Sequence, residues 1–300
     1  MDRELTPNEK KEHQRKHGRI RKHHADRSMN TFSGKLLSWS LIILFLFMPM
    51  MVRYVAETLG QPLNAHYETV FNAESKDEAI IRVYAARTWG PKGLFAVHSW
   101  IAMKRQGSNE FEVSQVIGWR QEYNGNVLFR ETGVPVDSWW GNEATLILEL
   151  QGESVESIIG QVDVAIQEYP WRSEYRLYPG PNSNTFIAWI GLQVPELGLD
   201  LPSTAVGKDW RPLYHSIGSS VSGTGLQASL FGLLGTSIGS KEGIEINVLG
   251  LNFELDLFDL ALELPLFGRY DFWYLLSFLT IWLLLKKWTN RTKSKYQYVT

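Results

Sequence analysis

From Gly243 to Leu266 the sequence reads GIEINVLGLNFELDLFDLALELPL. Glu254 and Asp256 fall on one side of this run, and Phe253, Leu255 and Leu257 on the other. A period of two matches a pleated strand, whose successive side chains point to opposite faces, and no helix sustains it. The last part of the chain is therefore committed to strand pairing. We expect these strands to join the sheet formed upstream.

That upstream sheet is readable in pieces. Ile80–Arg87 (IIRVYAAR) is the first clear strand, followed by the turn TWGPKG and the β-prone run Leu94–Lys104 (LFAVHSWIAMK). After a Gly-Ser-Asn turn, Phe111–Trp119 places Phe111, Val113, Gln115, Ile117 and Trp119 on one face, which reads as a hairpin. Asn126–Glu131 and Ala144–Leu150 are further strand candidates. Ser154 opens a helix to about Tyr169, with Val155, Ile158, Ile159, Val162, Ile166 and Tyr169 on one stripe, and Pro170 stops it. After PGPNSN a second helix runs through TFIAWIGLQV and ends before Pro195. Ser216–Ser240 is Gly/Ser-rich with apolar residues between, the pattern of hairpins or loops. Strands, two helices, then strands predict an α+β fold over 80–269: an antiparallel sheet with packed helices. The 300 residues, 44% of them apolar, suffice for one or two packed cores.

Charge is segregated along the chain. Residues 1–35 carry ten Lys/Arg against five Asp/Glu, residues 286–300 carry five basic side chains and no acid, and residues 54–270 carry 14 basic against 26 acidic. Each basic end adjoins an uncharged run: Leu36–Val52, and Phe272–Leu285 with Trp and Tyr at its edges. A spanning helix needs roughly 17–25 apolar residues, and Lys/Arg-rich flanks stay in the cytoplasm. These features predict two transmembrane helices, 36–52 and 270–288. The basic tails 1–35 and 289–300 would be cytoplasmic, with 54–79 a connector and 80–269 a periplasmic domain of a bacterial inner-membrane protein. The 35-residue basic start and the lack of a small-x-small cleavage site argue against a signal peptide. The chain has no cysteine, which suits an oxidising compartment. The acidic middle speaks against nucleic acid as a partner, and the expected non-protein partner is membrane lipid. His13, His17, His23 and His24 fall in the basic tail and are assigned no metal. No zinc motif, P-loop or dinucleotide fingerprint is present, so no cofactor is expected.

Three histidines lie in the middle: His66, His98 and His215. His98 sits in a strongly apolar strand, sharing a face with Ala96, Trp100 and Ala102. Such a residue is either a satisfied core histidine or, facing a hydroxyl, a general base. Ser183, in YPGPNSNTFIAWIG, stands where a helix begins. It can cap the helix, help bind an anion at the N-terminus, or act as a nucleophile if a base reaches it. Gly235-Thr-Ser237-Ile-Gly239 matches G-x-S-x-G, but a strand follows it and no histidine lies beyond residue 215, so it is no nucleophile elbow.

The strand-borne His98 of GLFAVHSWIAMK, followed at a distance by YRLYPGPNSNTF, resembles the circularly permuted papain-like superfamily of the LRAT and PPPDE type. In those proteins a histidine precedes an Asn-Cys-x-x-Phe motif at a helix start. The resemblance implies His98 as base, Gln115 as its orienting partner and Ser183 in the position of the nucleophilic cysteine, with Asn182 and Phe186 matching the motif. Serine for cysteine is a departure from that pattern. The stretch from about residue 80 to Arg269, including IEINVLGLNFELDL and ELPLFGR, is also similar to a bacterial membrane-anchored family of uncharacterised proteins.

Two functions follow as expectations. One is a membrane-anchored periplasmic hydrolase or acyltransferase acting on an amide or ester through Ser183, His98 and Gln115. Asn182, Asn184, Trp139 and Trp140 would line its cleft, and a peptidoglycan peptide or a lipid would be its substrate. The other is a non-catalytic domain that binds an envelope component or scaffolds a complex.

Overall fold

The computed structural model describes residues 40, 43, 78–133, 135, 138–266 and 268–295. The expected tail 1–35, the apolar run 36–52 and the connector 54–79 therefore fall almost wholly outside the described residues. The chain divides into two compact units, residues 61–275 and residues 1–60 with 276–300.

The first unit contains a six-stranded antiparallel sheet of order β4-β3-β2-β1-β6-β5. Its strands are β1 (Ile80–Arg87), β2 (Val97–Lys104), β3 (Phe111–Val116), β4 (Leu128–Gly133), β5 (Ser138–Trp139) and β6 (Asn142–Gln151). β1 is central and buried along nearly its whole length, which explains its continuous apolar run. Between β3 and β4 lies the short helix α1 (Arg120–Asn124).

Alternation divides this sheet into two faces. Ile81, Val83, Ile101 and Val116 join one core cluster with side chains of two helices, α2 (Val155–Gln167) and α3 (Ser183–Gln193). Ile80, Tyr84, Trp100 and Val113, each offset by one residue, form a separate cluster on the other face, with Trp139 packed against it. α2 turns Ile159, Val162 and Ile166 inward, as its stripe predicts. α3 is apolar nearly all round and correspondingly buried nearly all round.

A second antiparallel sheet has seven strands in the order β13-β12-β11-β10-β9-β8-β7. They are β7 (Ile217–Ser219), β8 (Gly225–Leu230), β9 (Leu234–Gly239), β10 (Gly243–Val248), β11 (Leu251–Asp256), β12 (Ala261–Leu264) and β13 (Gly268–Tyr270). This corrects the expected fold class. The strands after residue 216 do not extend the first sheet, and the domain is mostly β: two antiparallel sheets with few helices. Successive hairpins from Ile217 to Tyr270 pair only with their sequence neighbours, so they close a sheet of their own. The Gly/Ser-rich stretch, expected as hairpins or loops, supplies β7, β8 and β9, and Ser237 of the G-x-S-x-G match lies within β9.

The predicted span 270–288 is also corrected, while 36–52 lies outside the described residues save for 40 and 43. Residues 270–288 coincide with helix α4 (Phe272–Lys295), yet no helix among the described residues is long and apolar enough to cross a membrane. The uncharged part, Phe272–Leu285, rises only about 21 Å at 1.5 Å per residue, against ~30 Å of hydrocarbon. The two-span arrangement loses its basis, and so does an inner-membrane location with cytoplasmic termini and a periplasmic middle.

Candidate functional site

The start of α3 is densely hydrogen-bonded. Asn182, not Ser183, is the N-cap. Its side-chain oxygen accepts from the backbone N–H of Asn184 at 2.9 Å and of Thr185 at 3.1 Å, and the Thr185 hydroxyl accepts from the Asn182 N–H at 3.1 Å. This reciprocal pair is a capping box with Thr in the third position. The Asn182 amide nitrogen donates to Leu177 O and Val206 O. Gly207 makes this possible: it holds φ +99°, and a Cβ there would come within 2.4 Å of the Asn182 amide.

Asn184 reaches the other way, into the first sheet. Its Oδ1 accepts from the Ser99 hydroxyl at 2.8 Å, and its amide nitrogen donates to Val97 O and Val206 O. Both asparagines, expected to line a cleft, are buried and use their amides within the fold. Ser183 is the first residue of the helix and is 4% exposed.

Ser99 therefore faces α3. His98, its neighbour in β2, points to the opposite face of the sheet. There its Nε2–H donates to Gln115 Oε1 at 2.9 Å, and its ring stacks on Trp139 with centroids 3.8 Å apart. Trp119 stacks on Trp139 at 5.8 Å, and Trp140, exposed and with φ 52°, meets Trp119 edge-on. The structure thus brings together His98, Gln115 and Trp139, and brings together Asn182, Ser183 and Asn184, but the sheet separates the two groups. No hydrogen bond joins His98 to Ser183. Burial lowers the His98 pKa to about 4, with the Gln115 hydrogen bond opposing the shift. An imidazole whose conjugate acid is that strong is a weak general base near neutral pH.

A second polar centre was not anticipated from the sequence. The segment Leu199–Arg211 lies between the α3 terminus and the second sheet. It bonds upward through Thr204 O, which accepts from Val97 N–H, and through Gly207 O, which accepts from the Thr185 hydroxyl. It bonds downward through Asp209, whose carboxylate accepts from the side-chain amides of Gln227 at 2.5 Å, Asn247 at 2.8 Å and Asn252 at 2.7 Å. Lys208 donates to Leu201 O and pairs with Glu245. The sheet residues engaged here all point to one face, and that face is the buried one. Glu245, Glu254 and Glu263 stand in cross-strand register on β10, β11 and β12. Burial first, and the neighbouring carboxylates after it, push Glu254 up to about 9 against the pull of Lys208. Burial likewise raises Glu245 to about 7, while Lys208 stays charged because Glu245, Asp209 and Asp200 outweigh its desolvation. Among the described residues no cluster of His, Cys, Asp or Glu is arranged to hold a metal ion. The traceable signal for this centre was the Gln, Asn and Glu residues at every second position of β8, β10 and β11.

Residues 78–210 match the model of a family described as a protein of unknown function, DUF3750. The match covers less than half of the chain. It takes in the first sheet, α2, α3 and the segment through Trp210, and it ends before the second sheet. No curated protein and no solved structure matches the chain.

Proposed function

We propose that the β-rich domain is a non-catalytic binding and scaffold module. One observation carries this reading: His98 and Ser183 stand on opposite faces of the same sheet, with Ser99 between them bonded to Asn184. A serine hydroxyl needs a base in hydrogen-bond reach to become a nucleophile, and the helix N-terminus alone cannot ionise it. The side chains around Ser183 are engaged as structural links. Asn182 and Asn184 tie α3 to β2 and to the 199–211 segment, which in turn holds the second sheet. Such an arrangement fixes the relative position of two sheets, as a scaffold requires. The exposed Trp119 and Trp140, beside the His98–Trp139 stack, offer an aromatic contact surface.

The test is reaction of the purified full chain with a fluorophosphonate, read by intact mass and peptide mapping. The expected result is no adduct at Ser183. Stoichiometric modification of Ser183, lost in His98→Ala, contradicts the reading.

A Ser–His hydrolase or acyltransferase acting on an amide or ester of a peptide or lipid is the second reading. It is favoured by the His98–Gln115 hydrogen bond, the pairing that the papain-like resemblance implies, and by the helix start at Ser183. It demands that His98 and Ser183 meet, and β2 is bonded on both sides, to β1 and β3.

A further inference from the structure

The second sheet is inverted with respect to the usual rule. An antiparallel sheet with one solvated face normally turns its apolar side to the core. Here the polar face is buried beneath Lys208, Asp209 and Arg211, and the apolar face is exposed. On β8, β9, β10 and β11 every outward position is apolar except Thr236. Ile246 and Phe253 are directly opposed in register at its centre and are 51% and 43% exposed. Leu262 of β12 continues the face, opposite Leu255. The hairpin ends extend it: Phe231 and Leu249 are exposed and both hold φ 53°. That left-handed conformation costs an ordinary side chain roughly 1–2 kcal/mol and favours Gly or Asn. Large apolar side chains kept there, in solvent, point to a contact made by this surface.

We propose that this face is the interface of a homodimer, in which two second sheets stack into a β-sandwich. About ten half-exposed Leu, Ile, Val and Phe side chains present on the order of 800–1,000 Å², close to the ~800 Å² per partner of a stable interface and above what monomers ordinarily leave open. A two-fold axis places the same patch on both copies. With no charged side chain on the outward positions of β8–β11, self-stacking sets no like charges against each other there. Two such faces pack at ~10 Å with their strands nearly aligned. A lipid surface fits less well. Residues 54–270 carry 14 basic against 26 acidic side chains, and the Lys241 ammonium at the sheet margin is bonded to Gly198 O. An acidic body is repelled by an anionic leaflet. The inference goes beyond the scaffold reading and does not depend on whether Ser183 reacts.

Sedimentation velocity of the full chain over a wide concentration range tests it. The expected species is twice the 34.4 kDa chain mass. The double variant Ile246→Lys/Phe253→Lys is expected to weaken self-association at least ~100-fold, because two ammonium groups from each copy would be buried. Ile246→Thr/Phe253→Thr, which keeps strand-forming residues, covers the case in which the lysine pair does not fold. Val164→Lys, an exposed apolar position on α2, is expected to leave the dimer intact. A wild-type monomer at every concentration overturns the proposal. So does a dimer that persists in both double variants when they are folded. A monomer in buffer that floats with vesicles of phosphatidylglycerol and phosphatidylethanolamine overturns it in favour of a lipid surface.

Discussion

His98 and Gln115 share a 2.9 Å hydrogen bond on the face of the first sheet that looks away from α3. Their placement follows from register. Residues 98, 100, 111, 113 and 115 fall on one face, and 97, 99, 101, 114 and 116 on the other. What stands beside Ser183 is therefore Ser99 rather than a base.

Burial of His98 makes stability depend on pH. Its folded pKa, about 4, lies below the ordinary 6.5, so the unfolded chain takes up the proton first as pH falls. Stability is then lost between about pH 6.5 and pH 4, by on the order of 3 kcal/mol. His98→Gln, which cannot titrate, should remove this component. Urea midpoints measured from pH 7.5 to pH 4 on both proteins check it.

Glu254 has the opposite sign. Its folded pKa is raised to about 9 from 4.5, so the folded carboxyl keeps a proton that the unfolded chain has already released. This component is favourable below about pH 4.5 and declines as pH rises towards 9. Glu254→Gln should flatten the decline and stabilise the protein most at the alkaline end. A variant that loses stability at pH 9 contradicts the assignment.

Asp209 holds three amides from three strands, β8, β10 and β11. Asp209→Ala leaves those donors buried without their acceptor. The expected cost is ~3 kcal/mol or more. Amide hydrogen exchange should quicken in β8–β11 more than in β1 and β2.

The cap assignment separates two adjacent residues. Asn182→Ala removes the capping oxygen and two buried donors, and should cost roughly 2–3 kcal/mol. Ser183→Ala, at the first helical position, should change stability by less than ~1 kcal/mol. Chemical denaturation of the two variants decides between them.

Local periodicity was enough to place β1, α2 and α3, because each carries its pattern within a dozen residues. The alternation of β10 and β11 was equally plain, with Glu254 and Asp256 on one side and Phe253 and Leu255 on the other. Which side faced inward was not readable. It depends on Asp209 and Lys208, more than 35 residues before β11, whose hydrogen bonds make a polar face the buried one. The ordinary expectation that Phe253 and Leu255 point to the core was overridden by that distant segment. The same limit applies to Ser183. Its position at a helix start was legible, and the face on which His98 stands was legible too. Only the docking of α3 against Ser99 shows that these are opposite faces. The uncharged stretch Phe272–Leu285 matched a span in composition but is short of one in length.

His98 answers to Gln115 and not to Ser183. NMR titration of the imidazole in the wild type, Gln115→Leu and Ser183→Ala tests it most directly. The expected result is a wild-type pKa of about 4, a further drop in Gln115→Leu because a hydrogen bond that raises the value is lost, and no change in Ser183→Ala. A pKa that moves by about one unit in Ser183→Ala, and stays fixed in Gln115→Leu, contradicts it.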